Sequence, residues 1–163
     1  MLIRRAKQED IPQLIGLLYQ VHKVHSDARP DLFRPGEKKY TEAELEALIP
    51  DDSRPIFVAE EDGRVLGYAF CIYQTPSAAS MQPVRSLYID DLCVDGNTRG
   101  MGVGGALYRH VVQVAEQTGC YNVTLNVWAC NPTALRFYEK CGLTVQKIGM
   151  EQLLDPAKNA KKA

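Results

Sequence analysis

The sequence lacks any apolar run approaching the roughly 18 residues that cross a bilayer, so no membrane span is expected in it. Its first residues, MLIRRAKQED, carry neither the apolar stretch nor the small-residue cleavage site of a secretory leader. Charge of one sign is not in excess: 19 Lys and Arg stand against 20 Asp and Glu, for a net charge of -1. That balance offers no basic footprint for nucleic acid or an anionic membrane, so neither partner is expected. Paired cysteines are also missing. Cys71, Cys93, Cys120, Cys130 and Cys141 are odd in number, widely spaced and without a CxxC. Reduced, mostly buried thiols in a cytoplasmic protein follow, with no metal site. No internal repeat and no low-complexity segment is present.

What remains is ordinary globular composition, 45% hydrophobic and 24% charged. One domain is expected over residues 1–156, with residues 157–163 as a flexible tail. Leu2–Arg5 is a first strand. Asp10 stands where it would cap a helix whose apolar face holds Ile11, Leu14, Ile15, Leu17, Leu18, Val21 and Val24. His22 and His25 lie near the end of that helix, either beside a substrate groove or as a C-terminal cap. Residues 27–39 form a loop, yet Leu32 and Phe33 are apolar. They pack either as a satellite of the core or as the wall of a pocket. Thr41 with Glu44 makes a capping box for a short helix ending at Ile49.

Two strands, Ile56–Glu60 and Val65–Tyr73, are joined by an Asp62-Gly63 turn. Leu87–Val94 is a fourth strand, and a helix over Gly102–Thr118 is stopped by Gly119. Asn122–Trp128 is a fifth strand. Asn131 caps a helix that opens on Pro132 and ends at Cys141-Gly142. A last strand is expected over Thr144–Leu154, broken at Gly149. The fold class is therefore α/β with a mixed central sheet and helices on both faces. Its parallel part should lie at the crossover from the fourth strand through the long helix to the fifth.

The stretch that organises the chain is Arg99-Gly100-Met101-Gly102-Val103-Gly104-Gly105, set between a strand and a helix. Glycines let the backbone turn tightly with its amides exposed, and the first helical turn adds more free amides and a favourable dipole. A phosphate or pyrophosphate suits such a turn. The bland alternative is a tightened connection. Walker A fails because no Gly-Lys-Ser/Thr follows. A dinucleotide fingerprint needs a carboxylate on the next strand, and Asn122–Trp128 has none.

Leu92-Cys93-Val94 followed by Arg99-Gly100-Met101-Gly102-Val103-Gly104, and then LNVW, Asn131 and Phe137-Tyr138-Glu139-Lys140-Cys141-Gly142, resemble the two signatures of the GCN5-related N-acetyltransferase superfamily. The resemblance is strongest from Leu87 to Leu143. It implies the acyl-CoA N-acyltransferase fold, in which the fourth and fifth strands splay, and it implies acetyl-CoA. The pyrophosphate would lie on the amides from Arg99 to Gly104, continuing to Gly105. The pantetheine arm would bond the free backbone groups of Leu92, Cys93 and Val94, and Asn131 would touch the cofactor. Tyr138 would lie near the thioester sulfur.

Acetyl transfer to an amine needs a neutral amine, a donor for the developing oxyanion and a proton for the leaving thiolate. Tyr138, with an ordinary phenol pKa of about 10, is either the leaving-group acid or a core aromatic. The Val94 amide is the oxyanion donor that the family likeness implies. Strand alternation puts Asp90 and Asp91 on opposite faces, and Asp90 is favoured as the carboxylate that takes the amine's proton, through water, or attracts its ammonium form; a bulge would exchange the two roles. In the polyamine-acetylating branch of the family an acidic residue occupies this position. Tyr19, Phe33, Tyr73 and Tyr88 are candidates for the substrate side, and Trp128 either borders the cleft or anchors a turn. Cys93 is expected to be buried and inert.

The expected activity is acetyl transfer from acetyl-CoA to a primary amine by direct attack. The acceptor is either a small amine or polyamine, drawn by Asp90, Asp91, Asp27, Asp31 and Glu37, or a peptide amine in an open groove. The alternative is a CoA-binding regulatory module without turnover. Thr144–Leu154 is a candidate edge for a homodimer.

Overall fold

The computed structural model describes residues 1–154. Nine elements follow one another: β1 (Leu2–Arg5), α1 (Ile11–Ala28), α2 (Glu42–Leu48), β2 (Ile56–Glu61), β3 (Arg64–Gln74), β4 (Ser86–Val94), α3 (Val103–Gln117), β5 (Asn122–Leu125) and α4 (Pro132–Lys140). The sheet has the order β1-β2-β3-β4-β5. The first three pairings are antiparallel, and β4 with β5 is parallel, as a crossover through α3 requires.

Two apolar layers sandwich this sheet. On one face Leu14, Leu17 and Leu18 of α1 and Leu45 of α2 pack on Val58, Tyr68 and Phe70. On the other Val103, Leu107, Val111 and Ala115 of α3 pack on Ala69, Cys71, Leu87 and Ile89. The spacing of four along α3 is one helical stripe, and it buries Val111 completely.

Local signals are met in most places. The Glu44 amide donates to Thr41 Oγ1 at 3.2 Å and the Thr41 amide to Glu44 Oε2 at 2.7 Å, completing the capping box. The Ala134 amide donates to Asn131 Oδ1 at 3.1 Å. Asp10 departs from its expected role. Its carboxylate caps nothing in α1 and instead receives Arg4 at 2.7 and 2.9 Å, because a half-buried guanidinium is a stronger partner than a helix amide.

Two strand expectations need correction. The fifth strand ends at Leu125 rather than Trp128, since its ladder with β4 stops at the Ile89–Leu125 pair. The last strand expected over Thr144–Leu154 does not form within the described residues. Val145, Ile148 and Met150 are 67%, 80% and 93% exposed, and no neighbouring strand offers them a ladder. Strand propensity without a partner does not make a strand. The segment is fastened instead through Glu151, which receives Arg29 at 2.7 and 3.1 Å while Arg29 also holds Asp31. The expected tail, residues 157–163, lies outside the described residues.

Candidate active site

β4 carries an irregularity opposite the Phe70–Cys71 step of β3. Phe70 faces Asp91 and Cys71 faces Ile89, so Asp90 is the extra residue of a bulge. Leu87 and Ile89 point into the α3 layer, whereas Cys93 points into the α1 layer. The extra residue resets the alternation, and Asp90 and Asp91 both reach the α1 face. Asp90 Oδ2 accepts from the Tyr40 hydroxyl at 2.7 Å, and Asp91 Oδ2 accepts from the Tyr68 hydroxyl at 3.0 Å. Tyr40 stacks on Phe70, and Tyr68 meets the same ring edge-on. The expectation that the carboxylates face opposite ways is thus corrected. Period-two alternation does not survive an inserted residue.

The two carboxylates have different surroundings. Asp90 is salt-bridged to Lys39 Nζ at 2.8 Å. Asp91 has no ion-pair partner among the described residues. Burial pushes its pKa up to about 6, and the Asp90 charge adds to this, while Lys39, the Tyr68 hydroxyl and the Leu92 amide pull the other way. Asp91 is therefore ionised at neutral pH but readily protonated.

Beyond the Ile89–Leu125 pair, β4 continues to Val94 with β3 on one side only. The Asp95 amide donates to the Leu66 carbonyl at 2.8 Å. By ladder alternation the amides and carbonyls of Val94 and Leu92 then turn away from β3, toward the gap between β4 and β5. That gap belongs to a cavity of about 460 Å³ bordered by Asp91, Leu92, Leu125, Asn131, Ala134 and Tyr138.

The glycine turn follows directly. Gly102 has φ of 83° and precedes α3 without a side-chain cap. A Cβ there would meet nothing within 4 Å. The amides of Gly102, Val103, Gly104 and Gly105 donate to no acceptor among the described residues, and the first intrahelical bond runs from Ala106 to the Gly102 carbonyl at 3.0 Å. Bare amides at a helix N-terminus, in open space, fit a diphosphate. Asp95 braces this turn: it accepts from the Asn97 amide and from Gln20, and it pairs with Arg64. Gly104 sits where a Cβ would lie 3.3 Å from Phe137, so α4 closes onto α3 beside the turn.

Tyr138, on α4, borders the cavity. Its phenol pKa is raised above the ordinary value, first by burial and then by the Asp91 charge. Asn131 borders it too, but its Oδ1 is taken up by the α4 cap. Cys93 is buried with its thiol toward the Leu17 carbonyl, and burial pushes its pKa up to about 12. Burial keeps that thiol protonated at neutral pH, and the buried position is the one the sequence suggested.

The far side of the cavity is aromatic and cationic. Phe33 stacks on His25 at 5.3 Å and meets Trp128 edge-on at 5.3 Å. The loop residue expected to pack either on the core or along a pocket is therefore a pocket wall, with His22 and His25 on the same border. Burial lowers the His25 pKa, assisted by His22 and Lys39, so its ring is neutral at pH 7. Lys38 and Lys39 complete this side. Tyr19, Tyr73 and Tyr88 do not line it. Tyr73 hydrogen-bonds Thr118, Tyr88 receives Asn126, and Tyr19 carries the Lys38 ammonium 5.0 Å above its ring. Sequence reasoning missed Tyr40, Tyr68, Lys38 and Lys39. The available signal for the tyrosines was that paired carboxylates in an apolar strand must find donors.

Known proteins agree with this geometry. The family model described as "Acetyltransferase (GNAT) family" matches residues 18–143. An uncharacterised N-acetyltransferase of Methanocaldococcus jannaschii is 24% identical over 90% of this chain, which spans 62% of that relative's length. An uncharacterised N-acetyltransferase of Bacillus subtilis is 30% identical over 87% of this chain and 89% of its own. The thialysine N-epsilon-acetyltransferase of Sus scrofa is 25% identical over 87% and 83%. A crystal structure of a Bacillus halodurans protein superposes with a TM-score of 0.89 at 29% identity, over 94% of this chain and 100% of that one. No helix of the described residues is long and apolar enough to cross a membrane. The splayed strands, the bare amides ahead of α3 and the match over residues 18–143 lead to one conclusion: the chain belongs to the GNAT family of acetyl-CoA-dependent N-acetyltransferases.

Proposed function

We propose that this protein acetylates a small primary amine, with Asp91 as the proton acceptor and Tyr138 as the proton donor. Acetyl-CoA supplies the activated acetyl group as a thioester. The amides of Gly102, Val103, Gly104 and Gly105 bind its diphosphate, and the outward backbone groups of Leu92 and Val94 take its arm as a strand would take a neighbour. Asn131 borders the same path.

Asp91 is assigned the role of base in preference to Asp90. Asp90 is already salt-bridged to Lys39, whereas Asp91 has no ion-pair partner among the described residues and has a pKa of about 6, near working pH. It removes the ammonium proton at its carboxylate oxygen, directly or through one water. The Val94 amide is aimed into the gap, where an oxygen gaining negative charge needs a donor. Tyr138 Oη, kept protonated by burial, gives its proton to the departing thiolate. The observation that carries this reading is convergence: Asp91, Tyr138 and the open edge of β4 border one cavity. The thialysine-acetylating relative, named for an amine acceptor, supports the substrate class.

The test is release of free CoA thiol from acetyl-CoA with a panel of amines, run beside Tyr138→Phe. Turnover by the native chain that drops in the variant is expected. Thermal stabilisation by CoA with no turnover on any amine would reassign the protein as a CoA-binding module.

A further inference from the structure

We propose that the acceptor carries an anionic group, a carboxylate or a phosphate, as well as its amine, and that Lys38 receives that group. The inference rests on the acetyltransferase reading and deepens it by naming the acceptor class.

Four charged side chains border the cavity: Lys38, Lys39, Asp90 and Asp91. Lys39 and Asp90 cancel, with Nζ 2.8 Å from Oδ2 and 3.3 Å from the Asp90 carbonyl. Two charges are left. Asp91 accepts from the Tyr68 hydroxyl at 3.0 Å and has no ion-pair partner of its own among the described residues. Lys38 is half-buried, donates to the Tyr19 hydroxyl at 3.2 Å, and has no carboxylate partner among the described residues. One uncompensated anion lies on the strand and one uncompensated cation on the loop that follows α1. A molecule with an ammonium at one end and an anion at the other matches both. Its carbon body falls against Phe33 and Trp128.

A polyamine matches neither well. Its second ammonium would meet Lys38 and Lys39, and like charges in a partly desolvated site repel. The acidic residues that might have drawn it are spent or elsewhere. Asp27 is held by Lys23 at 2.6 Å and Asp31 by Arg29 at 2.9 Å, and neither they nor Glu37 border the cavity.

The test uses matched amines on the full-length protein: lysine against cadaverine, and O-phosphoethanolamine against ethanolamine. Binding is measured by calorimetry with CoA-saturated and with cofactor-free protein, and kcat/KM is measured with acetyl-CoA. An anionic member should bind, and be acetylated, at least about tenfold better than its uncharged-tail or dicationic counterpart. Lysine leading identifies a carboxylate; phosphoethanolamine leading identifies a phosphate. Lys38→Ala should lower the anionic-to-matched ratio about tenfold in both measurements, and Lys38→Arg should restore it. Preference for cadaverine or ethanolamine, or an equal loss for both members of a pair in Lys38→Ala, overturns the inference while leaving the acetyltransferase reading intact. CoA binding with no amine acetylated overturns both.

Discussion

Asp90 and Asp91 are consecutive in β4, yet both carboxylates project onto the same face of the sheet, one to the Tyr40 hydroxyl and the other to the Tyr68 hydroxyl. A strand without a bulge would separate them. The inserted residue opposite the Phe70–Cys71 step brings two acids together and makes their environments unequal. Burial first, and the Asp90 charge after it, push Asp91 toward its neutral form. The pair therefore divides into a salt-bridged acid, Asp90, and a buried one, Asp91.

Replacing Asp91 with Asn should lower kcat by about 10²–10⁴-fold, the usual contribution of a positioned base. In the native protein kcat/KM should rise with pH through about 6 as Asp91 loses its proton, and that acid limb should vanish in the variant. A retained limb would remove Asp91 from the role.

The same variant should be more stable at pH 8. The folded pKa of Asp91 is raised above the unfolded value of 3.8. The native state therefore holds more protons between the two values, and stability falls as pH rises through about 6. Removing the charge should recover roughly 1 kcal/mol, or about 2–4 °C in Tm, at pH 8 and nothing at pH 3. Melting curves at the two pH values check the sign.

Tyr138→Phe should cut kcat by about 10²-fold and leave the Kd for CoA within about twofold. The phenol pKa is raised by burial and by Asp91, so the hydroxyl stays a donor at every pH where the fold can be assayed. Loss of CoA affinity equal to the loss of rate would mean that Tyr138 packs on the cofactor rather than moving a proton.

Gly102→Leu should weaken CoA binding by tenfold or more. Its φ of 83° disfavours a side chain, and the side chain would enter the open space beside the free amides. The left-handed backbone adds a stability cost of about 1–2 kcal/mol, which leaves the protein folded. Calorimetry with CoA gives the affinity, and circular dichroism confirms the fold.

Gly67→Ala should be far more damaging to the fold. A Cβ at Gly67 would lie 2.6 Å from the Cys93 carbonyl oxygen, opposite Val94 and in the middle of the sheet. Backbone cannot yield as a side-chain tip does, so the cost should approach about 3 kcal/mol. A urea midpoint unchanged from the native protein would contradict the close approach.

Most of the architecture was written locally. Helix stripes, the Thr41–Glu44 box, the Asn131 cap and the glycine turn are determined by neighbours within a few residues, and each formed as read. The fourth-strand glycine motif and the Phe137-Tyr138 block were enough to point to the family and its cofactor. Asp10 misled because its partner, Arg4, belongs to another element.

The sequence by itself determined where the helices run, where the first four strands lie, and where glycines leave bare amides ahead of α3, because those depend on periodicity and on residue chemistry at short range. Only the tertiary structure decided what depends on pairing between strands. It ended β5 at Leu125, denied residues 144–154 a ladder, and turned Asp90 and Asp91 to one side. It also set Lys38 and Phe33 across from Asp91, through a loop whose placement no local pattern encodes. Register and bulges come from hydrogen bonds between distant segments, so the distinction between the two acids is a property of the folded sheet.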